Sequence, residues 1–279
     1  MPELAYLNGK ILPIEQAMVP VEDRGYQFGD AVYEYIASYN GKLFFLEQHL
    51  DRLDRSMTEL AFPPVSRDVI RHAILDLYAR SGIARAGVYI QISRGVAPRN
   101  HSFPESITPQ VVMTVRPVMD KPATTLEQGA TAITTVDQRW GRCDIKTVQL
   151  LANVLARQKA ASAGCAEAIL VSAEGVVREA TSSNVFIVKN NRLITHPLTP
   201  AILPGITRNM LIEICREEKI AVDERFFGAA ELFAADEVFL TGTVTEIFPI
   251  VKVDGKAIGA GKPGPMAARL LELLYRRIR

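Results

Sequence analysis

Cysteine is scarce in this chain, and its placement excludes whole classes of function. Cys143, Cys165 and Cys215 are odd in number and form no C-x-x-C pair, which argues against a disulfide framework and against a zinc site. Histidine is nearly as rare: His49, His72, His101 and His196 show no metal-ligand spacing, so no metal is expected. There is no G-x-S-x-G elbow, and hydrolases built on that turn are set aside with the metalloenzymes. No apolar run approaches the roughly 18 residues that span a bilayer. The opening MPELAYLNGK lacks the charged-then-apolar pattern of a secretory signal, so the expectation is a cytoplasmic protein with no membrane partner. An excess of charge of one sign is also missing. Lys and Arg number 32 against 31 Asp and Glu, a net of +1, and nucleic acid is not an expected partner. GAGKPG at 259–264 falls short of a phosphate loop, since Lys256 stands where a glycine is required and Pro263 follows the lysine; it reads as a turn.

What is present suits a large core. The 279 residues are 48% hydrophobic and 23% charged, enough for two lobes without staples. Residues 3–46 read as strands joined by Asn8-Gly9 and Asn40-Gly41, dipeptides that tolerate the positive φ of a tight hairpin turn. Helical spacing follows over Glu47 to Ala61 and Ser66 to Ser81, then strands at 87–94 and 110–118 flank an irregular loop, 95–109, that carries three prolines. MDKPATTLEQG, 119–129, has the composition of an interlobe linker. The expected division is therefore an N-terminal lobe at 1–118, the linker at 119–129 and a C-terminal lobe at 130–279. In the second half, strands at 131–136, 167–171, 185–188, 221–226, 237–241 and 247–253 alternate with helices at 147–163, 206–219 and 265–277. Turns at Asn190-Asn191 and Asp254-Gly255 point to a mixed or antiparallel, barrel-like sheet. The fold class is α/β of the α+β type.

RWGRCDIKTVQLLANVLA, 139–156, sets a lysine at the mouth of an apolar helix whose only polar stripe is Gln149, Asn153 and Arg157. Most lysines are solvated, but a buried Lys146 would favour its neutral amine, which can form a Schiff base with an aldehyde. Pyridoxal phosphate is such an aldehyde. It needs a lysine, a carboxylate for its ring nitrogen and an anion site. Glu179 in REATSSNVF is a candidate carboxylate, or else a turn residue. Gly205 in LPGITRNMLIEI precedes a helix whose Ile206 and Thr207 amides would meet a phosphate, or simply start the helix. Thr243 in FLTGTVTE adds a hydroxyl, and Arg52 could supply charge or be a solvated helix arginine.

VEDRGYQFGDAVYE, RGVAPRNHSFP, RCDIKT, E-x-T-S-S-N and LPGITR, in that order, resemble the fold type IV pyridoxal-phosphate enzymes, the D-amino-acid transaminases in particular, from Tyr6 to about Val253. The resemblance implies a two-lobe fold type IV aminotransferase, a small N-terminal α/β sandwich and a larger C-terminal barrel-like α/β lobe. It implies that Lys146 carries pyridoxal 5′-phosphate, that Glu179 bonds the ring nitrogen, and that Arg52, Ile206, Thr207 and Thr243 hold the phosphate. Leu203 would pack under the ring and Ser182 would belong to the hydrogen-bonded shell. Tyr33, Arg99 and His101 would hold the substrate carboxylate, the last two reaching across a homodimer with a shared site. The implied reaction is ping-pong transfer between a D-amino acid such as D-alanine and a 2-oxo acid such as 2-oxoglutarate. Branched-chain L-amino-acid transaminase and aminodeoxychorismate lyase are alternatives on the same fold. Where familiar D-transaminases have a small aliphatic residue and then, two places on, a lysine, Tyr35 and Ala37 stand here, implying a pocket of different shape and less cationic character.

Overall fold

A computed structural model describes residues 3–119 and 127–278, and these gather into two compact units. The first contains residues 3–119 together with Ile145–Gln149, the second residues 127–144 and 150–278. Most of the linker expected at 119–129 lies at 120–126, outside the described residues.

Six strands make the sheet of the first unit: β1 (Leu4–Leu7), β2 (Lys10–Pro13), β3 (Ala31–Tyr39), β4 (Lys42–Leu43), β5 (Ala86–Ser93) and β6 (Gln110–Pro117), in the order β2-β1-β6-β5-β3-β4. Every pairing is antiparallel. The two Asn-Gly turns form as expected, with positive φ at Asn8, Gly9, Asn40 and Gly41. A short helix α1 (Arg24–Phe28) precedes β3, and α2 (Leu46–Glu59) and α3 (Arg67–Ser81) contribute to the core. Alternation along the strands decides the faces: Val32 and Ile36 of β3 and Val88, Ile90 and Ile92 of β5 join Leu50, Leu53, Ile74 and Leu77 of the helices. Each such aliphatic burial stabilises the fold by roughly 1.5–3 kcal/mol. Ser66 caps α3, its Oγ accepting from the Val69 N–H, and Gly82 ends it in the left-handed conformation.

The second unit contains β7 (Ala130–Val136), β8 (Glu167–Val171), β9 (Val177–Ala180), β10 (Asn184–Lys189), β11 (Arg192–Thr195), β12 (Val222–Glu224), β13 (Glu237–Gly242), β14 (Glu246–Val253) and β15 (Lys256–Ala257). They are accompanied by α4 (Leu151–Ser162), α5 (Ile206–Glu217), α6 (Ala229–Phe233) and α7 (Pro265–Ile278). The sheet is mixed, with β7 parallel to β8 and β14, and β11 parallel to β12. Its path β10-β13-β14-β7-β8-β9 returns on itself because β9 also pairs β10, at Glu179 and Asn184. This closure is the expected barrel-like sheet. Asn190-Asn191 and Asp254-Gly255 both take the positive φ of hairpin turns.

Two features correct the sequence expectations. The helix expected from 147 starts at Leu151, because the segment before it is drawn to β3. Since β4 pairs only with Ser38 and Tyr39, the edge of β3 at Ala31–Tyr33 is open; there the Tyr33 N–H donates to the Lys146 carbonyl (2.9 Å) and the Val148 N–H to that of Ala31 (3.1 Å). Nor is α4 buried around its circumference: Leu151, Val154 and Leu155 are 72%, 58% and 59% exposed, and Ala160 is its one buried residue. No helix among the described residues is long and apolar enough to cross a membrane.

Candidate active site

The candidate residues of the first unit fall into groupings set by the two faces of β3. On one face Tyr33 lies against Tyr89, ring centroids 5.6 Å apart, and the Lys146 amine stands 4.2 Å from the centre of the Tyr33 ring. The lysine expected to be buried is half-buried, its main-chain N–H donating to Ser56 Oγ at 3.3 Å. Tyr35 covers Gly87 so closely that a Cβ there would stand 1.8 Å from its hydroxyl oxygen, which explains the glycine. Burial pushes the Tyr35 hydroxyl up from its ordinary range and that of Tyr89 up to about 12.

On the opposite face, among the aliphatic side chains, sits Glu34. It accepts from Arg52 through Nε (2.7 Å) and a terminal nitrogen (2.8 Å), and lies 2.7 Å from His49 Nδ1. Burial opposes its charge, but the guanidinium and the imidazole outweigh that, and its carboxyl is held well below the usual range. His49 is pushed down, first by burial and further by the cations of Arg52 and Lys146, against the pull of Glu34. The imidazole is therefore neutral and donates from Nδ1. Arg52, expected as a phosphate ligand, is here oriented by a carboxylate that sequence reasoning missed. The signal was available: Glu34 shares the parity of Val32 and Ile36, so alternation sends it to the core face.

Arg99 and His101 are exposed and gather about Phe28, with the Arg99 guanidinium 4.6 Å from its ring centre and the His101 ring centroid at 5.4 Å. Among the described residues no hydrogen bond or ring contact joins this pair to Tyr33 or Lys146 within the unit.

In the second unit the barrel closure positions Glu179. Its buried carboxylate accepts from the Leu203 N–H (3.1 and 3.2 Å), from Asn184 Nδ2 (3.0 Å) and from Arg139. Arg139 also donates to both oxygens of Asp137 at 2.9 Å, and Asp137 accepts in turn from Arg178 at 2.9 Å. The charges thus alternate: Glu179, Arg139, Asp137, Arg178. Burial pushes the Glu179 carboxyl up against the pull of Arg139 and the Leu203 N–H, whereas the two arginines hold Asp137 down despite its own burial. Asn184 Nδ2 additionally donates to the Leu203 carbonyl (2.9 Å), and a Cβ at position 205 would stand 2.1 Å from its Oδ1. Gly205 is required by that contact, and α5 begins next to it.

Gly205 offers no capping side chain, so the first-turn amides of Ile206 and Thr207 have no side-chain acceptor from the N-cap. Thr207 is buried and Thr243 half-buried in the turn after β13. Leu203, expected through its side chain, meets Glu179 through its backbone. Ser182 is exposed and its Oγ lies 3.5 Å from Glu167, so within the unit its hydroxyl turns to the other glutamate. Arg139 and Asp137 were not anticipated; RWGRCDIK offers three basic residues in eight, and only the folded strand ends tell which one meets Glu179. A buried carboxylate beside an uncapped helix start and its glycine turn is a donor and acceptor set that fits a phosphorylated pyridine ring.

The family profile described as Amino-transferase class IV matches residues 31–253. The chain is 42% identical to a D-alanine aminotransferase of Bacillus licheniformis, over 97% of this chain and 95% of that one. It is 41% identical to another from Staphylococcus haemolyticus, over 96% and 95%. Among solved structures it is similar to the branched-chain amino acid aminotransferase of Escherichia coli (TM-score 0.94, 28% identity, 99% of this chain and 94% of that one). The branched-chain aminotransferase of Thermobaculum terrenum in its pyridoxal-phosphate form is similar too (TM-score 0.88, 30% identity, the same coverage).

Proposed function

Because the chain belongs to the class IV aminotransferases, we propose that it transfers the amino group of a D-amino acid such as D-alanine to a 2-oxo acid such as 2-oxoglutarate, with pyridoxal 5′-phosphate as cofactor. What carries this reading is 41–42% identity over nearly the whole chain to D-alanine aminotransferases, against 28–30% for the branched-chain enzymes of similar fold. When bound, the cofactor supplies an aldehyde for the substrate amine and a ring that withdraws electrons from Cα.

The residues divide the work. Lys146 Nζ would hold the aldehyde and, once displaced, would take the proton from substrate Cα and deliver it to the cofactor's former aldehyde carbon. Glu179 keeps a proton on the ring nitrogen, its position supported by Arg139, Asn184 and the Leu203 N–H. Arg52, the Ile206 and Thr207 amides and Thr243 receive the phosphate, Arg52 oriented by Glu34. Leu203 packs under the ring, and Ser182 completes the polar shell. Tyr33, Arg99 and His101 grip the α-carboxylate, the planar guanidinium matching its two oxygens. The protein works in the cytoplasm as two lobes, 1–118 supplemented by 145–149 and the remainder of 130–279, joined by the linker at 119–129.

The site is shared across a homodimer. Supporting this are the outward Arg99 and His101 and the exposed apolar side chains of α4. Lys146→Ala and Arg99→Ala, each nearly inactive, should regain about a quarter of wild-type activity when reassembled together, since about half of the dimers are then mixed and hold one intact site. No recovery from proven mixed dimers would defeat the shared site.

The function itself is tested by adding amino acids singly to the loaded enzyme and following the cofactor's absorbance. D-alanine should convert it and L-leucine should not. Conversion by L-leucine alone would favour the branched-chain reaction, and pyruvate release from aminodeoxychorismate without an acceptor would favour the lyase.

A further inference from the structure

Arg24 is 3% exposed, and nothing in the proposed chemistry uses it. It opens α1, where Asp23 caps the helix by accepting from the Gly25 N–H (2.8 Å) and also from Ser93 Oγ (2.6 Å). Its Nε donates to Asp30 Oδ2 at 2.8 Å. Its terminal nitrogens fan out to the main chain of the 95–109 loop, to the carbonyls of Asn100 (2.6 Å), Ser102 (3.4 Å) and His101 (3.4 Å). Three consecutive carbonyl dipoles turned toward one another repel, and a cation among them offsets that repulsion. A guanidinium suits that place better than an ammonium, because its planar fork reaches several acceptors at once.

The bend has a consequence for the side chains. With the carbonyls of Asn100 to Ser102 turned toward Arg24, the side chains of Arg99 and His101, on either side of Asn100, stand exposed. Both meet one ring, Phe28, which Arg24 itself approaches to 4.8 Å. Arg94, also buried, braces the arrangement: its Nε donates to the same Asp30 oxygen at 2.8 Å, and its guanidinium lies 3.6 Å from the centre of the Phe103 ring.

We infer that Arg24 and Phe28 are positioning residues for the substrate clamp: Arg24 fixes the loop bend, and Phe28 is the platform on which Arg99 and His101 are held ready for an α-carboxylate. This rests on the reading of Arg99 and His101 as the carboxylate-binding pair.

The test uses full-length enzyme loaded with pyridoxal phosphate. Arg24→Lys keeps the charge but loses the fan, so KM for D-alanine should rise about tenfold while kcat stays within about threefold. Hydrogen exchange should quicken at the amides of 99–103 and not elsewhere, and cofactor affinity should hold. An unchanged KM would overturn the proposal. So would a rise in KM accompanied by faster exchange through the whole chain and weaker cofactor binding, since that describes general loosening. If Arg24→Lys is insoluble, Phe28→Leu decides: raised KM with faster exchange at 99–103 supports the inference, and wild-type KM defeats it. Failure of the underlying reading looks different, because Arg99→Ala would then leave KM for D-alanine unchanged.

Discussion

Each unit holds a buried glutamate against an arginine, Glu34 in the first and Glu179 in the second, and the two carboxyls are shifted in opposite directions. Glu34 has the Arg52 guanidinium on both oxygens and His49 beside it, and is held far below the ordinary range. Glu179 meets an arginine that is already bound to both oxygens of Asp137, and burial pushes it up. What differs is the cation available per carboxylate. A guanidinium on both oxygens of one glutamate, with an imidazole beside it, outweighs desolvation; one divided between two acids does not. The first arrangement is a fixed support. The second leaves a carboxylate responsive to whatever proton or cation faces it, which is what a partner for a ring nitrogen requires.

If Glu34 is a support, removing it should cost the most stability. Glu34→Leu leaves the Arg52 cation buried without its carboxylate and should destabilise the protein by about 3–5 kcal/mol in urea unfolding, while Glu34→Leu with Arg52→Met recovers much of that. A loss below about 1 kcal/mol would show the pair to be dispensable.

Glu179 should instead reveal itself in rate. Glu179→Gln removes the charge that holds the ring proton, and the single-turnover rate with saturating D-alanine should fall on the order of a hundredfold. Glu34→Gln, acting at a distance from the chemistry, should leave that rate far less changed. Equal effects would erase the distinction drawn between the two glutamates.

The smallest effect concerns pH, where the signs separate the two regions. His49 has a depressed folded value, so the unfolded chain takes up its proton first and stability declines as pH falls below about 6.5. Glu34, also depressed, adds a further decline in more acid solution, below about 4.5. Glu179, raised, acts in the opposite sense: it disfavours the fold as pH rises through its folded value, and acid relieves that cost. His49→Asn keeps a donor for Glu34 without the titration and should flatten the decline between pH 7 and 5 by about 1 kcal/mol. An identical slope in the variant would remove His49 from the explanation.

Much of this was legible in local pattern. The four turn dipeptides, the caps and periodicity of α3 and the start of α5 after Gly205 are local properties, and backbone sterics enforce them wherever the chain goes. The family motifs likewise picked out Lys146, Glu179 and the LPGITR turn, because those residue types at that spacing carry a particular chemistry. β9 and β11 escaped notice, being four residues each and too short to show a period.

Tertiary structure decided the partners. That Ile145–Gln149 leaves its own half of the chain to complete the edge of β3 follows from β4 being too short to do so. That Glu179 meets Arg139 while Ser182 turns to Glu167 follows from where β9 and β10 close the barrel. That three carbonyls of a proline-bearing loop converge on Arg24, 76 to 78 residues earlier, follows from the bridge between Asp23 and Val96. A sequence specifies which groups can bond or bear charge within a few residues of one another. Which distant group supplies the counter-charge, and whether it is shared, depends on strand order and closure, and at buried sites that sharing sets the direction in which a carboxyl is shifted.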